Sequence, residues 1–91
     1  MWYVYVLRSL KIDANYRYVG MSDDLRKRLH LHNQGNVFST QGWKPLELIY
    51  YQAHKDKRDA AAREKFLKTG WGKNWIDRTL NNYLKKVGRT R

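Results

Sequence analysis

The sequence predicts an α+β domain in which three helices flank a three-stranded antiparallel sheet, in the order β-β-α-β-α-α. Apolar runs rich in β-branched and aromatic residues at 2–7, 16–20 and 46–51 are typical of strands. Apolar residues recur at helical spacing in three later segments. The connection between the first two strands is short and polar, which favours an antiparallel hairpin.

The first strand, from Trp2 to Leu7, does not alternate between apolar and polar residues. Both of its faces are therefore expected to be covered, which places it at the centre of the sheet. The second strand ends at Gly20, where we expect a tight turn before the first helix. The third strand follows Pro45. Sequential strands are usually neighbours, so one small sheet is predicted.

Each predicted helix has start and stop signals. Ser22 is a favourable N-cap for the first helix, with Asp23 and Asp24 in its first turn. This helix is expected to end near Asn33, because Gly35 follows.

Asp56 can cap the second helix, which is expected to end before Gly70. The third helix is predicted from Trp71 to about Leu84, where an apolar stripe recurs at helical spacing. That stripe is typical of a packing face.

The chain has 91 residues, which is the size of one domain. We expect the domain to span 1–84 and a basic tail to occupy 85–91. The absence of cysteine excludes disulfides and thiolate zinc sites and is consistent with a reducing cytoplasm, where we expect the protein. The N-terminal apolar run is short and Arg8 follows it, so neither a signal peptide nor a membrane span is predicted.

The net charge indicates a polyanionic partner. Nineteen Lys and Arg residues face eight Asp and Glu residues, which gives a formal charge of +11 and a pI near 10.1. Residues 1–54 carry seven basic and four acidic side chains, whereas 55–91 carry twelve and four. Basic side chains release counterions from phosphates, so nucleic acid is the expected partner, although a solvated basic surface is the alternative.

Two side chains of the first helix could act on a phosphate. Arg28 and His32 are four residues apart, share a helical face and flank the stripe that contains Leu29. Arginine offers a planar fork of donors that matches phosphate oxygens and stays charged. A solvated helix face is the alternative, and it is the preferred interpretation for Arg26 and Lys27.

Glu64 shares a helical face with Ala60 and Leu67, which directs a carboxylate toward an apolar surface. Such a carboxylate must be paired with a base or bind a cation. Mg²⁺ commonly takes one or two protein carboxylates and fills its other positions with water and phosphate, so one carboxylate is enough. A salt bridge is an equally good interpretation.

Aromatic residues offer a further set of candidates. Tyr3, Tyr5 and Tyr18 lie on adjacent predicted strands, where tyrosines usually pack but can also bind a water or a phosphate. Trp43 lies in a loop that contains glycine, where it could stack on a base or cover the core.

Taken together, these residues resemble the GIY-YIG nuclease family, in particular its short single-domain members and the nuclease domain found in excinuclease. The matching segments run from about residue 2 to 80 and are Tyr3-Val4-Tyr5, Tyr18-Val19-Gly20, Leu25 with Arg28 and His32-Asn33, and Arg63-Glu64-Lys65. Each short motif is weak alone, whereas the ordered set is fairly specific.

The resemblance implies hydrolysis of a DNA phosphodiester with a single Mg²⁺ or Mn²⁺ ion held by Glu64. Tyr18 would contact and deprotonate the attacking water, and Tyr5 would assist. Arg28 would stabilise charge on the phosphoryl oxygens. His32 would position a phosphate or a tyrosine, or share the proton transfer.

The same resemblance and the local charges suggest a wider set of nucleic-acid-binding residues. Gly20 would let the start of the helix approach the substrate, and exposed basic and polar side chains would contact the backbone. This set contains Tyr3, Gly20, Ser22, Arg26, Lys27, Asn33, Lys65, Lys68, Lys73 and Asn74.

Three positions depart from the family pattern. Tyr3 stands where the motif name has glycine, which is common among small members. Met21 stands where relatives often have lysine or a hydroxyl residue, and a thioether cannot donate to a phosphate. Asn74 is only a loose match to the asparagine that often follows the family's glutamate.

The sequence therefore predicts a small metal-dependent DNA endonuclease with little sequence specificity. Branched, nicked or single-stranded DNA is a plausible substrate, no membrane or small-molecule cofactor is expected, and the oligomeric state is left open. The alternatives are a non-catalytic nucleic-acid-binding module with the same fold and a basic structural protein associated with RNA.

Overall fold

The computed structural model describes residues 1–88, which contain a three-stranded sheet and four helices. The predicted α+β class is confirmed, with the third predicted helix divided in two. In chain order the elements are β1 (Trp2–Ser9), β2 (Arg17–Ser22), α1 (Leu25–Asn33), β3 (Leu46–His54), α2 (Lys57–Leu67), α3 (Gly70–Thr79) and α4 (Asn81–Lys86).

The sheet has the order β2-β1-β3, and both pairings are antiparallel. The first strand is therefore central, as its uninterrupted apolar run predicts. Tyr5 of β1 lies opposite Gly20 of β2 on one side and Tyr51 of β3 on the other. This register brings the two tyrosine motifs together, because Leu7 pairs with Tyr18 two residues further along.

The two faces of β1 bury different cores. Val4 and Val6 pack with Ala60, Leu67 and Ile76 under α2 and α3. On the opposite face lies a second core of Tyr5, Leu7 and Leu46, against which Leu25 and Leu29 of α1 pack. The tyrosine of the first motif is thus a core residue on the α1 side of the sheet.

The predicted N-cap of the first helix is wrong. Ser22 is the last residue of β2, and the helix is capped by Asp24, whose side chain accepts a hydrogen bond from Lys27 N at 3.1 Å. The strand continues to Ser22 because it remains paired with Tyr3 of β1, which delays the start of the helix. Ser22 Oγ instead accepts from Asp24 N at 3.0 Å.

The turn expected at Gly20 is also wrong, because Gly20 lies within β2. A Cβ atom at this position would be 2.5 Å from Tyr5 Cζ and 2.8 Å from Tyr18 Cε2. Glycine is therefore needed for the close approach of two tyrosine rings and not for an unusual backbone conformation.

The third predicted helix is interrupted at Leu80, whose φ of −105° and ψ of 23° are not helical. After the break, Leu84 is buried and Tyr83 Oη donates to Glu47 Oε2 of β3 at 2.6 Å. These contacts with the sheet outweigh the local helical pattern. Lys85 and Lys86 of the expected tail belong to α4, and residues 89–91 lie outside the described residues.

The junction between α2 and α3 is closely packed. Thr69 caps α3 by accepting from Gly72 N at 3.1 Å. A Cβ atom at position 72 would overlap Phe66 O and lie 2.5 Å from Leu67 Cα, whereas a Cβ atom at Gly70 would meet nothing within 4 Å.

Gly72→Ala is expected to destabilise the protein by about 1–3 kcal/mol, because the overlapping atoms are backbone and cannot rotate away. Gly70→Ala is the matched control in the same helix and should change the free energy of unfolding by less than about 1 kcal/mol. Urea unfolding followed by circular dichroism measures both, and equal effects would contradict the packing described here.

Candidate active site

A chain of hydrogen bonds joins α1, the central strand and the following loop. Arg28 Nε donates to Tyr5 Oη at 3.3 Å, and Tyr5 Oη lies 2.8 Å from His32 Nε2. His32 Nδ1 lies 2.7 Å from Thr40 Oγ1, and that hydroxyl donates to Val37 O at 3.5 Å. Each polar group in this chain therefore has a partner although the chain crosses the core.

The partners assign the tautomer of His32. Because the Thr40 hydroxyl donates to Val37 O, it accepts from Nδ1–H of His32. Nε2 is then the unprotonated nitrogen and accepts from the Tyr5 hydroxyl. Burial and then the charge of Arg28 lower the pKa of His32 to about 4, so the ring is neutral at pH 7.

The same environment fixes the protonation of the other two groups. Burial raises the pKa of Tyr5, so its phenol keeps the proton that it donates to His32. The hydrogen bond to Tyr5 raises the pKa of Arg28, and the guanidinium remains charged. A neutral histidine thus holds a neutral tyrosine, which in turn positions a cation.

Tyr18 completes this group. Its ring centroid is 6.3 Å from that of Tyr5 and 5.1 Å from that of His32, and the Arg28 side chain also interacts with the Tyr18 hydroxyl. Tyr18 is half-buried, whereas Tyr5 is almost completely buried. The structure therefore brings four predicted site residues together and leaves Tyr18 as the more accessible of the two tyrosines.

His32 has no exposed surface, and its two ring nitrogens are engaged by Tyr5 and Thr40. Contact with a phosphate is thus excluded in this arrangement, while the positioning of a tyrosine is consistent with it. Thr40 was not anticipated from the sequence, where it is one hydroxyl residue in a polar loop. The available signal was indirect, since a buried histidine needs partners for both nitrogens.

Glu64 comes from α2, on the other side of the sheet from α1. Its side chain is 23% exposed, and Oε2 forms an ion pair with Lys68 Nζ at 3.2 Å. Burial is the largest cause of the raised pKa of Tyr5, and the charge of Glu64 adds to it. Glu64 is therefore neither sealed from solvent nor remote from Tyr5.

The donor set is compatible with a divalent cation that keeps most of its own ligands. Within residues 1–88 there is no group of three or more His, Asp or Glu side chains that could hold a metal. A partly exposed carboxylate such as Glu64 suits Mg²⁺, which often binds one or two carboxylates and otherwise water and phosphate. A cation enclosed by protein ligands does not fit these residues.

Two predicted nucleic-acid contacts have structural partners. The Asn33 side chain accepts from Leu46 N at 2.7 Å and donates to Leu46 O at 3.0 Å, which ties the end of α1 to β3. Tyr3 packs edge-on against Tyr51 at a centroid distance of 6.0 Å. The Asn33 amide therefore has a role in the fold that does not require a ligand.

Several other predicted contacts lie on the surface of α1, α2 and α3. Arg26 and Lys27 are exposed on α1, whereas Lys68 is engaged by Glu64. The other exposed members are Lys65, Lys73 and Asn74.

The two remaining sequence candidates are packing residues. Met21 packs against the core under α2 and α3, so its thioether is part of that core. Trp43 stacks on Tyr16 with a centroid distance of 4.5 Å and an interplanar angle of 4°, and its carbonyl accepts from Ser9 Oγ. Of the two interpretations of Trp43, the structure supports the one in which it covers the core.

The fold and these contacts define a small α+β catalytic domain built around two strand tyrosines and a helical arginine. The GIY-YIG catalytic domain profile matches residues 1–84. The chain therefore belongs to the GIY-YIG family, whose members are nucleases and generally use divalent metal ions.

Two bacterial relatives illustrate the similarity. A UPF0213 protein of Clostridium perfringens is 36% identical over 69 residues, which cover 75% of this chain and 71% of the relative. A UPF0213 protein of Bacillus pumilus is 33% identical over 86 residues, which cover 93% of this chain and 80% of the relative. No solved structure matches the chain. None of the helices within residues 1–88 has the length and hydropathy needed to cross a bilayer.

His32 should make stability depend on pH. An unfolded histidine has a pKa near 6.5, so the unfolded chain binds the proton more readily than the folded one. The stabilisation is complete above about pH 6.5 and is lost as the pH falls toward 4, by up to about 3 kcal/mol. Urea unfolding of His32→Gln should lack this component, whereas the exposed control His30→Gln should retain it.

Thr40→Val is expected to lower the free energy of unfolding by about 1–3 kcal/mol, because the nearly isosteric change leaves His32 Nδ1 buried without a partner. Thr40→Ser should restore most of the loss by returning the hydroxyl. Thermal unfolding followed by circular dichroism measures the series. Equal stability of the valine and serine variants would contradict the assigned hydrogen bond.

Proposed function

We propose that this protein is a metal-dependent endonuclease that hydrolyses DNA phosphodiester bonds with little sequence preference. The observation that carries the proposal is the position of Arg28, which is held by Tyr5 beside Tyr18 in a GIY-YIG domain. A cation fixed in this way has no need to reorganise when charge develops on a substrate.

Arg28 is proposed to bind the phosphoryl oxygens of the scissile group. Its planar guanidinium matches two oxygens of a phosphate and stays charged at any working pH. The bond from Nε to Tyr5 fixes the orientation of the side chain. Arg28 would thus stabilise the additional negative charge of the transition state.

Tyr18 is proposed to contact the attacking water and to accept its proton. The water oxygen forms a bond to phosphorus while the bond from phosphorus to the leaving oxygen breaks, and the leaving oxygen takes a proton from solvent. Tyr5 is assigned a positioning role, because its hydroxyl is already engaged with His32 and Arg28. His32 keeps Tyr5 in place from within the core.

Glu64 would hold the Mg²⁺ or Mn²⁺ ion. When bound, such an ion polarises the phosphate and stabilises the leaving oxygen. Lys68, which is more exposed than Glu64, can move into solvent and release the carboxylate. The ion pair with Lys68 would then keep Glu64 ionised until a cation arrives.

Binding would depend mainly on phosphate contacts. Twelve basic and four acidic residues lie in 55–91, and several of the lysines are exposed on α2 and α3. Contacts of this kind set affinity and register but carry no sequence information. We place this activity in the cytoplasm, where a cysteine-free chain needs no oxidising environment.

A non-catalytic nucleic-acid-binding module is the second candidate. It is favoured by the ion pair between Glu64 and Lys68, which occupies an oxygen of the expected metal ligand, and by Met21, which cannot assist a proton transfer. The two candidates share the basic surface and differ in whether any bond is cut.

Cleavage assays should decide between them. Labelled duplex, branched, nicked and single-stranded DNA are incubated with the protein and Mg²⁺ or Mn²⁺. We expect cleavage that EDTA abolishes and that Arg28→Ala reduces by about 10²–10³-fold, the usual cost of removing a preorganised donor. Glu64→Gln should reduce cleavage to a similar extent, whereas Asp59→Asn, an exposed acid on the same helix, should retain it.

Cleavage by Glu64→Gln at the wild-type rate would overturn the metal assignment. Binding without cleavage of any of these substrates would favour the non-catalytic module.

A further inference from the structure

Trp71 is the exception among the four tryptophans. Its side chain is 79% exposed, and within residues 1–88 no ring stacks on it and no cation lies over it. By contrast, Trp2 lies under Lys57, Trp43 stacks on Tyr16, and Trp75 contacts Tyr50 and Arg63. A large aromatic surface left in water gains free energy when a partner covers it.

Trp71 is mounted on a rigid part of the fold. It lies in the first turn of α3, which Thr69 caps through Gly72 N. Gly72 in turn packs directly against the backbone of Phe66 and Leu67. A ring held on a fixed backbone loses little freedom when it binds, which favours its use as a contact residue.

The surroundings of Trp71 are basic and adjoin the candidate site. Lys68 and Lys73, which flank it in the chain, line one pocket together with Tyr18. Lys68 also forms the ion pair with Glu64. The exposed ring thus lies between two lysines that border the proposed water-binding tyrosine and metal ligand.

We propose that Trp71 stacks on an unpaired base of a bound nucleic acid while Lys68 and Lys73 contact the adjacent phosphates. Stacking on an exposed aromatic ring needs a base that has left its helix, and it tolerates any sequence. The net charge of +11 favours a polyanion and disfavours a second copy of this chain as the occupant.

The consequence is a structural preference and not a sequence preference. DNA with an unpaired base near the scissile phosphate should bind more tightly than intact duplex. This inference rests on the proposed function for the identity of the neighbouring site, but the stacking contact itself does not require cleavage.

The test is a binding measurement in EDTA by fluorescence anisotropy, with a single-stranded oligonucleotide, a duplex carrying a single-stranded flap, and an intact duplex. Trp71→Ala should weaken binding of the first two by at least about fivefold and of intact duplex by less than about twofold. Trp71→Phe should retain most of the affinity. Phe38→Ala, which removes a ring that is 87% exposed on another loop, is the matched control.

An equal loss on all three DNAs, no loss on any of them, or the same loss in Phe38→Ala would overturn the inference. Failure of the wild-type protein to bind any of them would overturn it as well. Because EDTA removes catalysis from the assay, binding that depends on Trp71 would support the inference even if no substrate is cut. Cleavage in Mg²⁺ without this dependence would overturn the inference and leave the proposed function intact.

Discussion

The structure depends on one constraint, which is that Tyr5 is both a core residue of the central strand and a member of a polar chain. Its ring is buried on the α1 face of the sheet, and its hydroxyl lies between Arg28 and His32. A buried hydroxyl without partners would cost about 1–3 kcal/mol, so these groups must all be aligned when the domain folds. The position of α1 relative to the sheet follows from this alignment.

Other features of the fold serve the same constraint. Gly20 leaves room for the Tyr5 and Tyr18 rings within the sheet, and Thr40 brings a hydroxyl from the loop to the far nitrogen of His32. The result is a rigid support for Arg28, whose side chain interacts with both tyrosines. In such a small domain, the residues that stabilise the core are also the residues that orient the site.

Local patterns in the sequence predicted the fold class, the central strand and the shared face of Arg28 and His32, because these depend on periodicity and burial. The reason for Gly20 could not be predicted, since it lies in a cross-strand contact with Tyr5 that no local pattern records. The helix start was misplaced because strand pairing extends past Gly20 to Ser22. Tertiary contacts also determine the roles of Thr40 and Asn33, and these contacts join residues that are 8 and 13 positions apart.

The protonation state of His32 tests the account most directly, because the orientation of every hydrogen bond in the chain follows from it. Long-range ¹H–¹⁵N correlation spectra at pH 7 distinguish the two neutral tautomers and the imidazolium. We expect Nδ1 to carry the proton and Nε2 to be unprotonated, with no change until the pH approaches 4. A proton on Nε2, or an imidazolium at pH 7, would contradict the proposed support of Tyr5 and Arg28.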